Sequence, residues 1–297
     1  MSSQRNKAKL LPLMRGLAYL APSLLLFSCF VFYPLLKSMS LSVFNTDLLG
    51  QETTYAGVKY YKEMFLAPQF LNSLKATLLF TLYTVVPGIF IALGLAYMAN
   101  WQLKGIGFFR TIFAFPLSIA VAGASMIFMM FFNPSAGVFA YFLQLLHLPS
   151  ISWLADPKWA LVSVSIVAIW RGLGFNILVL LSGLQSIPKH LYESSSLEGA
   201  SSFRQFIDIT LPLLSPTLFF VFIVSVINAM QAFGEINILT LGGPSESTNV
   251  IVYSIYRQGF FDLNYSYASA ESIFLFLIIL ILTLLEFWLL ERKVFYR

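Results

Sequence analysis

Residues 16–36 read GLAYLAPSLLLFSCFVFYPLL, a run of 21 residues without a charged side chain between Arg15 and Lys37. As an α-helix this run is about 31 Å long, which matches a bilayer hydrocarbon core of about 30 Å. It is longer than the apolar part of a secretory signal, and no small-residue cleavage site follows it. The run therefore predicts an uncleaved first membrane span.

Further stretches of similar length are apolar and nearly free of charge. They cover residues 76–99, 108–132, 159–183, 211–234 and 272–290. The fourth span contains Arg171, and the sixth contains Glu286 near its end. The pattern predicts an all-α, polytopic membrane protein with six transmembrane helices in a single transmembrane permease domain, residues 1–297.

The composition agrees with a membrane protein. The chain has 297 residues, of which 58% are hydrophobic and 10% are charged, whereas soluble domains carry about 25% charged residues. A disordered chain is excluded. The lone Cys29 excludes an internal disulfide, and His147 and His190 are too far apart for a metal motif. We therefore expect no metal site and no cofactor.

The distribution of Lys and Arg predicts the orientation. Six spans place both termini on one side of the membrane. The two tails, the 100–110 turn and the 184–210 loop hold eleven basic and four acidic residues, against six basic and eight acidic on the other side. Because cytoplasmic segments are enriched in Lys and Arg, both termini are predicted to be cytoplasmic. Orientation explains the net charge of +5 better than binding to nucleic acid, which we do not expect.

Motifs for catalysis are missing from the sequence. There is no G-x-x-x-x-G-K-[ST] phosphate loop, no H-E-x-x-H helix and no G-x-S-x-G elbow. We therefore predict no catalytic residue, and a chain that does not hydrolyse ATP unaided.

The loop between the fourth and fifth spans is the most informative polar segment. Residues 186–213 read SIPKHLYESSSLEGASSFRQFIDITLPL. Pro188 suits the start of a helix, Glu193 stands beside small serines, and Gly199 ends or bends the helix. We expect a short helix over 187–199, a glycine turn and a second helix that enters the membrane. The small side chains would fit a cleft of another protein; the alternative is a plain connecting loop.

This loop resembles a known signature. In permease subunits of binding-protein-dependent (type I) ABC importers the corresponding loop reads E-A-A-x-x-x-G-x₉-I-x-L-P. Here Glu193, Gly199, Ile209, Leu211 and Pro212 stand at the matching positions, and two serines replace the alanines.

The resemblance extends over nearly the whole chain. Four short segments are similar to the carbohydrate-uptake branch of the family: Ala21-Pro22, Ser186-Ile-Pro188, Gly242-Gly243-Pro244 and Ile255-Tyr256-Arg257. Residues 256–260 and 291–296 are similar to the A-type permeases of sn-glycerol-3-phosphate importers.

The resemblance implies a function and a set of partners. The chain would form a translocation pathway for sn-glycerol 3-phosphate or a sugar in the bacterial inner membrane. Its partners would be a second permease, two ATP-binding subunits, an extracytoplasmic solute-binding protein and the lipid bilayer. The residues that would dock the ATPase are Glu193, Ser194, Ser195, Ser196, Gly199, Ile209, Leu211 and Pro212. The alternative is an ion-coupled secondary solute transporter, for which Glu286 alone is placed as an intramembrane carboxylate.

Polar residues in the fourth and fifth spans are the candidates for the substrate pathway. Asn228, Gln231 and Glu235 are spaced i, i+3 and i+7, which predicts one helix face turned to the bundle interior, for solute contact or for hydrogen bonds between helices. Arg171 lies about 18 Å along its span, near the bilayer midplane. It would either pair with Glu235 or bind an anionic solute such as a phosphate. Asn176 would then bind solute hydroxyl groups.

Overall fold

The computed structural model describes residues 16, 19–101 and 105–290, and for position 290 it describes the backbone alone. The helices are, in chain order, α1 (Tyr19–Leu41), α2 (Lys59–Leu66), α3 (Pro68–Ala99), α4 (Ile106–Ala114), α5 (Val121–Phe131), α6 (Val138–Leu145), α7 (Pro157–Gln185), α8 (Lys189–Leu197), α9 (Ser202–Met230), α10 (Gly234–Leu239), α11 (Ile251–Phe260) and α12 (Tyr265–Leu290). A short antiparallel hairpin joins β1 (Phe44–Thr46) and β2 (Glu52–Tyr55). The predicted helical membrane fold is confirmed.

The number of spans also agrees with the prediction. Among the residues described, five helices are long and apolar enough to cross a membrane, namely α1, α3, α7, α9 and α12. The bent pair of α4 and α5 brings the number to six if it is one span.

The third span is broken, which corrects the continuous helix predicted for 108–132. After α4 the chain forms a 3₁₀ turn, Phe115–Ser118, and the helix axis is bent by 102° between the two segments of the span. Pro116 lies in this turn. Proline has no N–H and its ring clashes with the carbonyl four residues earlier, so it kinks or breaks an α-helix. Since α3 and α9 continue past Pro87 and Pro216, Pro116 favours the break but does not by itself account for it.

Several helices extend beyond the spans predicted from the charge-free runs. α1 runs past Lys37, whose Nζ lies 2.7 Å from Oε1 of Glu52. α3 begins at Pro68, ahead of Lys75, and α12 already includes the buried Glu271. A charged side chain that has a partner or is buried can lie within a helix. A charge alone therefore does not mark a helix end, which is defined by the residues that cap the terminal backbone groups.

The residues divide by their contacts into two compact units. The first contains the described residues up to 64, together with 258–274. Within its described part the β-hairpin is held by the Tyr60 hydroxyl, which donates to Oδ1 of Asn45 at 2.7 Å, and by the Ser266 hydroxyl, which donates to the carbonyl of Phe44 at 2.8 Å. The single domain stays a prediction.

The second unit contains the described residues of 65–257, together with 275–290, and its core lies between α3, α7 and α9. α3 contributes small side chains on one face, Ala92, Ala96 and Ala99, which are at most 1% exposed. Leu180 of α7 and Leu214 of α9 belong to the same buried cluster. In a lipid environment such small residues allow helices to approach closely, and packing rather than burial from water holds them together.

The predicted orientation is not tested by these residues. Eight of the basic residues on which it depends lie outside the described part of the chain: Arg5, Lys7, Lys9, Arg15, Lys104, Arg292, Lys293 and Arg297. The same holds for the tail motif at 291–296.

Candidate functional site

A cavity of about 590 Å³ lies within the second unit. Its walls come from α3, α7, α9 and α10 and from the break between α4 and α5. All five residues predicted for the substrate pathway line it: Arg171, Asn176, Asn228, Gln231 and Glu235. Two hydroxyl residues, Thr84 and Ser225, complete its polar lining.

Glycines bring the walls of the cavity together. A Cβ at Gly174 of α7 would lie 3.1 Å from the Cβ of Leu117 in the 3₁₀ turn. A Cβ at Gly234 of α10 would lie 2.8 Å from both methyl carbons of Val121 at the start of α5. A side chain larger than hydrogen at either position would therefore push α7 or α10 away from the broken span, and the cavity wall would open.

Arg171 and Glu235 form an ion pair in this cavity. The Nη1 of Arg171 donates to Oε1 of Glu235, and the two side chains are 33% and 6% exposed. The pair joins α7 to α10 across 64 residues of sequence. It explains how the charge of Arg171 is tolerated in a span, because a buried charge is stable only with a partner of opposite sign.

The predicted common helix face of Asn228, Gln231 and Glu235 is wrong. α9 ends at Met230, Gln231 follows its last turn, and Glu235 lies in the separate helix α10. The backbone of Phe233 is not helical, with φ −135°. The centroid of its ring lies 4.9 Å from the ring centroid of Tyr256 and 6.2 Å from that of Tyr253. The aromatic contact holds the connection between the helices in an irregular conformation. All three polar residues nevertheless face the same cavity.

The sequence reasoning missed two polar residues of the cavity. Ser225 Oγ accepts a hydrogen bond from Nδ2 of Asn176 at 3.4 Å. Ser225 lies three residues before Asn228 and therefore on the same face of α9, so helix periodicity could have indicated it. Thr84 comes from α3, and its buried Oγ1 has no hydrogen-bond partner within the described residues. No motif marks that residue.

The 184–210 segment has the predicted arrangement of short helix, glycine turn and second helix. Pro188 precedes α8, and Gly199 has φ +79°, a conformation that favours glycine. Of the predicted docking residues, Glu193, Ser194, Ser196 and Gly199 are exposed. The others are half-buried where they pack within the chain: Ser195, Ile209, Leu211 and Pro212.

Hydrogen bonds tie α8 to the beginning of α9. The Nε2 of Gln205 donates to Oγ of Ser196 at 2.8 Å and to the carbonyl of Tyr192 at 3.2 Å. The hydroxyl of Tyr192 lies 2.9 Å from Oγ1 of the buried Thr210. Leu191 and Tyr192 also pack against the core cluster of the second unit. One face of α8 is thus fixed to the bundle, and the face with Glu193 is exposed.

A second hollow, of about 480 Å³, lies between α7 and α9 near α8. Its lining includes Ser182, Gly183 and Ser186 of the α7 end and Thr217 of α9. A Cβ at Gly183 would lie 2.5 Å from Oγ1 of Thr217. The two helices therefore touch at this glycine, immediately before the chain turns into α8.

Known proteins share this sequence over most of its length. The chain is 34% identical over 279 residues to the sn-glycerol-3-phosphate transport system permease protein UgpA of Agrobacterium fabrum (strain C58 / ATCC 33970), and the match covers 93% of this chain and 94% of that protein. It is 35% identical over 280 residues to the protein of the same name from Brucella abortus biovar 1 (strain 9-941), with the same coverage of both chains.

Two solved structures are similar in fold. A chain of a bacterial ABC transporter involved in the import of the acidic polysaccharide alginate matches with a TM-score of 0.83 and 24% identity, covering 97% of this chain and 99% of that one. A chain of the alginate transporter in complex with an alginate pentasaccharide-bound periplasmic protein matches with a TM-score of 0.79 and 25% identity, covering 96% and 95%.

The family model for the inner membrane component of binding-protein-dependent transport systems matches residues 78–294. This range includes the broken span, the polar cavity, the α8 segment and all of α12. Together with relatives that are aligned over nearly their full length, the match shows that the chain belongs to the binding-protein-dependent transport system inner membrane components, the multi-pass permease subunits of ABC importers.

Proposed function

We propose that this permease carries sn-glycerol 3-phosphate. In the proposed importer it forms the pathway with a second permease, two ATP-binding subunits hydrolyse ATP below the membrane, and a solute-binding protein delivers the solute from outside. Both termini and the α8 segment face the cytoplasm in this arrangement, as the distribution of Lys and Arg predicts.

The observation that carries the proposal is the composition of the cavity. Its volume of about 590 Å³ is within the range of about 300–1,000 Å³ that is usual for small-molecule sites. A guanidinium suits phosphate oxygens, because its planar donors form two parallel hydrogen bonds. The neighbouring amides of Asn176, Asn228 and Gln231 suit the two hydroxyl groups of the glycerol part. The relatives named as sn-glycerol-3-phosphate permeases support the same solute.

A neutral sugar is the second candidate, and the ion pair favours it. Because Glu235 offsets the charge of Arg171, the polar lining as a whole has no net charge. Amide and hydroxyl groups would then bind sugar hydroxyls.

Transport assays separate the two solutes. The full importer with its binding protein would be reconstituted in liposomes loaded with ATP on the side of the ATPase subunits. We expect uptake of radiolabelled sn-glycerol 3-phosphate, with no inhibition by an excess of maltose or glucose. Uptake of a neutral sugar without uptake of sn-glycerol 3-phosphate would contradict the proposal and favour the second candidate.

We further propose that the exposed face of α8 docks on an ATP-binding subunit. Glu193 stands on this face, and α8 is held to the bundle from its other side by Gln205 and Tyr192. A partner that moves α8 therefore also moves α9. The charge of Glu193 would meet a basic group of the partner.

A charge reversal tests the docking proposal. Glu193→Lys should abolish uptake and weaken co-purification of the ATPase, while the permease still inserts into the membrane. Glu198→Lys is the matched control, because it makes the same charge change at an exposed position of the same segment that the signature leaves variable. Equal loss in both variants, or no loss in either, would contradict a specific role for Glu193.

A further inference from the structure

The two members of the Arg171–Glu235 pair differ in their access to the cavity. The carboxylate of Glu235 is deep in the wall, with 6% of its side chain exposed, whereas 33% of the Arg171 side chain is exposed. The guanidinium is therefore the member of the pair that an arriving solute meets first. Nη1 of Arg171 is occupied by Glu235 in the structure.

An anionic solute and Glu235 require the same group. A phosphate that binds Arg171 through two parallel hydrogen bonds needs two donors on one edge of the guanidinium. Nε of Arg171 is buried and has no hydrogen-bond partner among the described residues, which leaves the edge of Nη1 and Nη2 for a solute, and Glu235 already takes Nη1. The phosphate would also stand close to the carboxylate, and like charges that share a site repel each other strongly where water is scarce. Simultaneous binding is therefore unfavourable, and the two anions compete.

A released Glu235 has other donors within the same cavity. The side-chain amides of Asn228 and Gln231 both line it, and each amide supplies two N–H donors to a carboxylate. Glu235 lies in the first turn of α10, directly after Gly234, whose backbone packs against Val121 of the broken span. A change of partner at Glu235 thus acts on the helix that closes this wall of the cavity.

We propose that Glu235 is a built-in competitor at Arg171, and that an anionic solute binds by replacing its carboxylate and releasing α10. The inference rests on the proposed function, because it requires a phosphate-bearing solute. It assigns Glu235 a role in selectivity: a dianion displaces the carboxylate, whereas a neutral sugar has no charge with which to do so. Solute arrival then changes the wall beside the broken span without any further ligand.

The test is direct solute binding to the importer assembled with its ATP-binding subunits in nanodiscs, without the binding protein, since that protein would dominate the affinity. Radiolabelled sn-glycerol 3-phosphate is the probe. Glu235→Gln removes the competing charge and should strengthen binding about tenfold. Glu235→Asp keeps the charge on a shorter side chain that reaches Arg171 less well, and should strengthen binding to a smaller extent. The double variant Arg171→Gln/Glu235→Gln, which leaves no unpaired charge, should bind at least tenfold more weakly than the parent.

The control is Glu246→Gln, which removes another Arg–Glu pair, with Arg257, outside the cavity lining. It should leave binding unchanged. A merely structural pair predicts the opposite sign for Glu235→Gln, because a half-buried arginine without its partner would weaken binding and assembly. If the parent binds sn-glycerol 3-phosphate and both Glu235 variants bind it equally or more weakly, the competitor role is refuted. If the parent imports a neutral sugar and neither binds nor imports sn-glycerol 3-phosphate, the proposed solute has failed, and the inference fails with it.

Discussion

Substitution of Gly183 by alanine probes the contact between α7 and α9. The new Cβ would lie 2.5 Å from Oγ1 and 2.9 Å from Cγ2 of Thr217, and 2.8 Å from Cδ1 of Leu214. Ordinary contacts between such atoms are about 3.5–4.0 Å, so the helices must separate by about 1 Å. Overpacking of this kind costs about 1–3 kcal/mol, which corresponds to a fall in melting temperature of roughly 5 °C for a chain of this size.

The measurement is a thermal unfolding curve of the purified permease in nanodiscs, together with solute uptake by the importer. Gly94→Ala in α3 is the matched control, since a Cβ there meets no atom within 4 Å and alanine is the better helix former by about 1 kcal/mol. Thr217→Ala removes two of the three clashing atoms and should restore much of the loss in the double variant. If Gly183→Ala were as stable as Gly94→Ala, or if Thr217→Ala gave no recovery, the reasoning about this contact would be wrong.

Three further predictions concern single residues. Gly199→Val should impair α8 docking, because a β-branched residue at φ +79° costs about 1–2 kcal/mol, whereas Gly199→Asn should be milder; co-purification of the ATPase measures both. Asn228→Cys in a Cys29→Ser background should react with an impermeant thiol reagent in one transport state only, and inertness in all states would favour hydrogen bonding between helices. The hydrogen bonds from Lys37 and Ser40 hold the pKa of Glu52 below its usual 4.5. The Lys37–Glu52 pair therefore stabilises the β-hairpin above pH 4.5 and loses this effect as the pH falls through the lowered pKa. Limited proteolysis should therefore cleave the hairpin faster as the pH falls from 6 to 3, and Glu52→Gln should remove this pH dependence.

The sequence predicted which polar residues line the cavity better than it predicted the arrangement of the helices that form it. Arg171, Asn228 and Gln231 could be identified because charges and amides are costly inside a membrane, whatever the details of the fold. Helix periodicity indicated one face for Asn228 and Glu235, but it could not foresee that the ring of Phe233 packs against α11 and ends α9 early. That contact depends on residues that are distant in sequence.

The same limit applies to the broken span and to the helix ends. Pro116 was visible in the sequence, yet proline permits anything from a mild kink to the observed turn of 102°. The packing of Leu117 against Gly174 accompanies the larger bend. The α8 segment was predicted well, because Pro188 and Gly199 act through local backbone preferences that need no distant partner.

The π-helical turn at Phe206–Thr210 gives α9 a soft point just where a force from α8 would enter. A π turn is less stable than an α turn, and a load applied before it would be absorbed by its compression. The hydrogen bond between the Tyr192 hydroxyl and Thr210 connects α8 to the far end of this turn. If α8 docks as proposed, this bond would carry the force past the π turn, while Gln205 would hold the near end. Without that hydroxyl, a docked ATP-binding subunit would still move α8. Compression of the π turn would then take up the displacement before it reached the membrane-spanning part of α9.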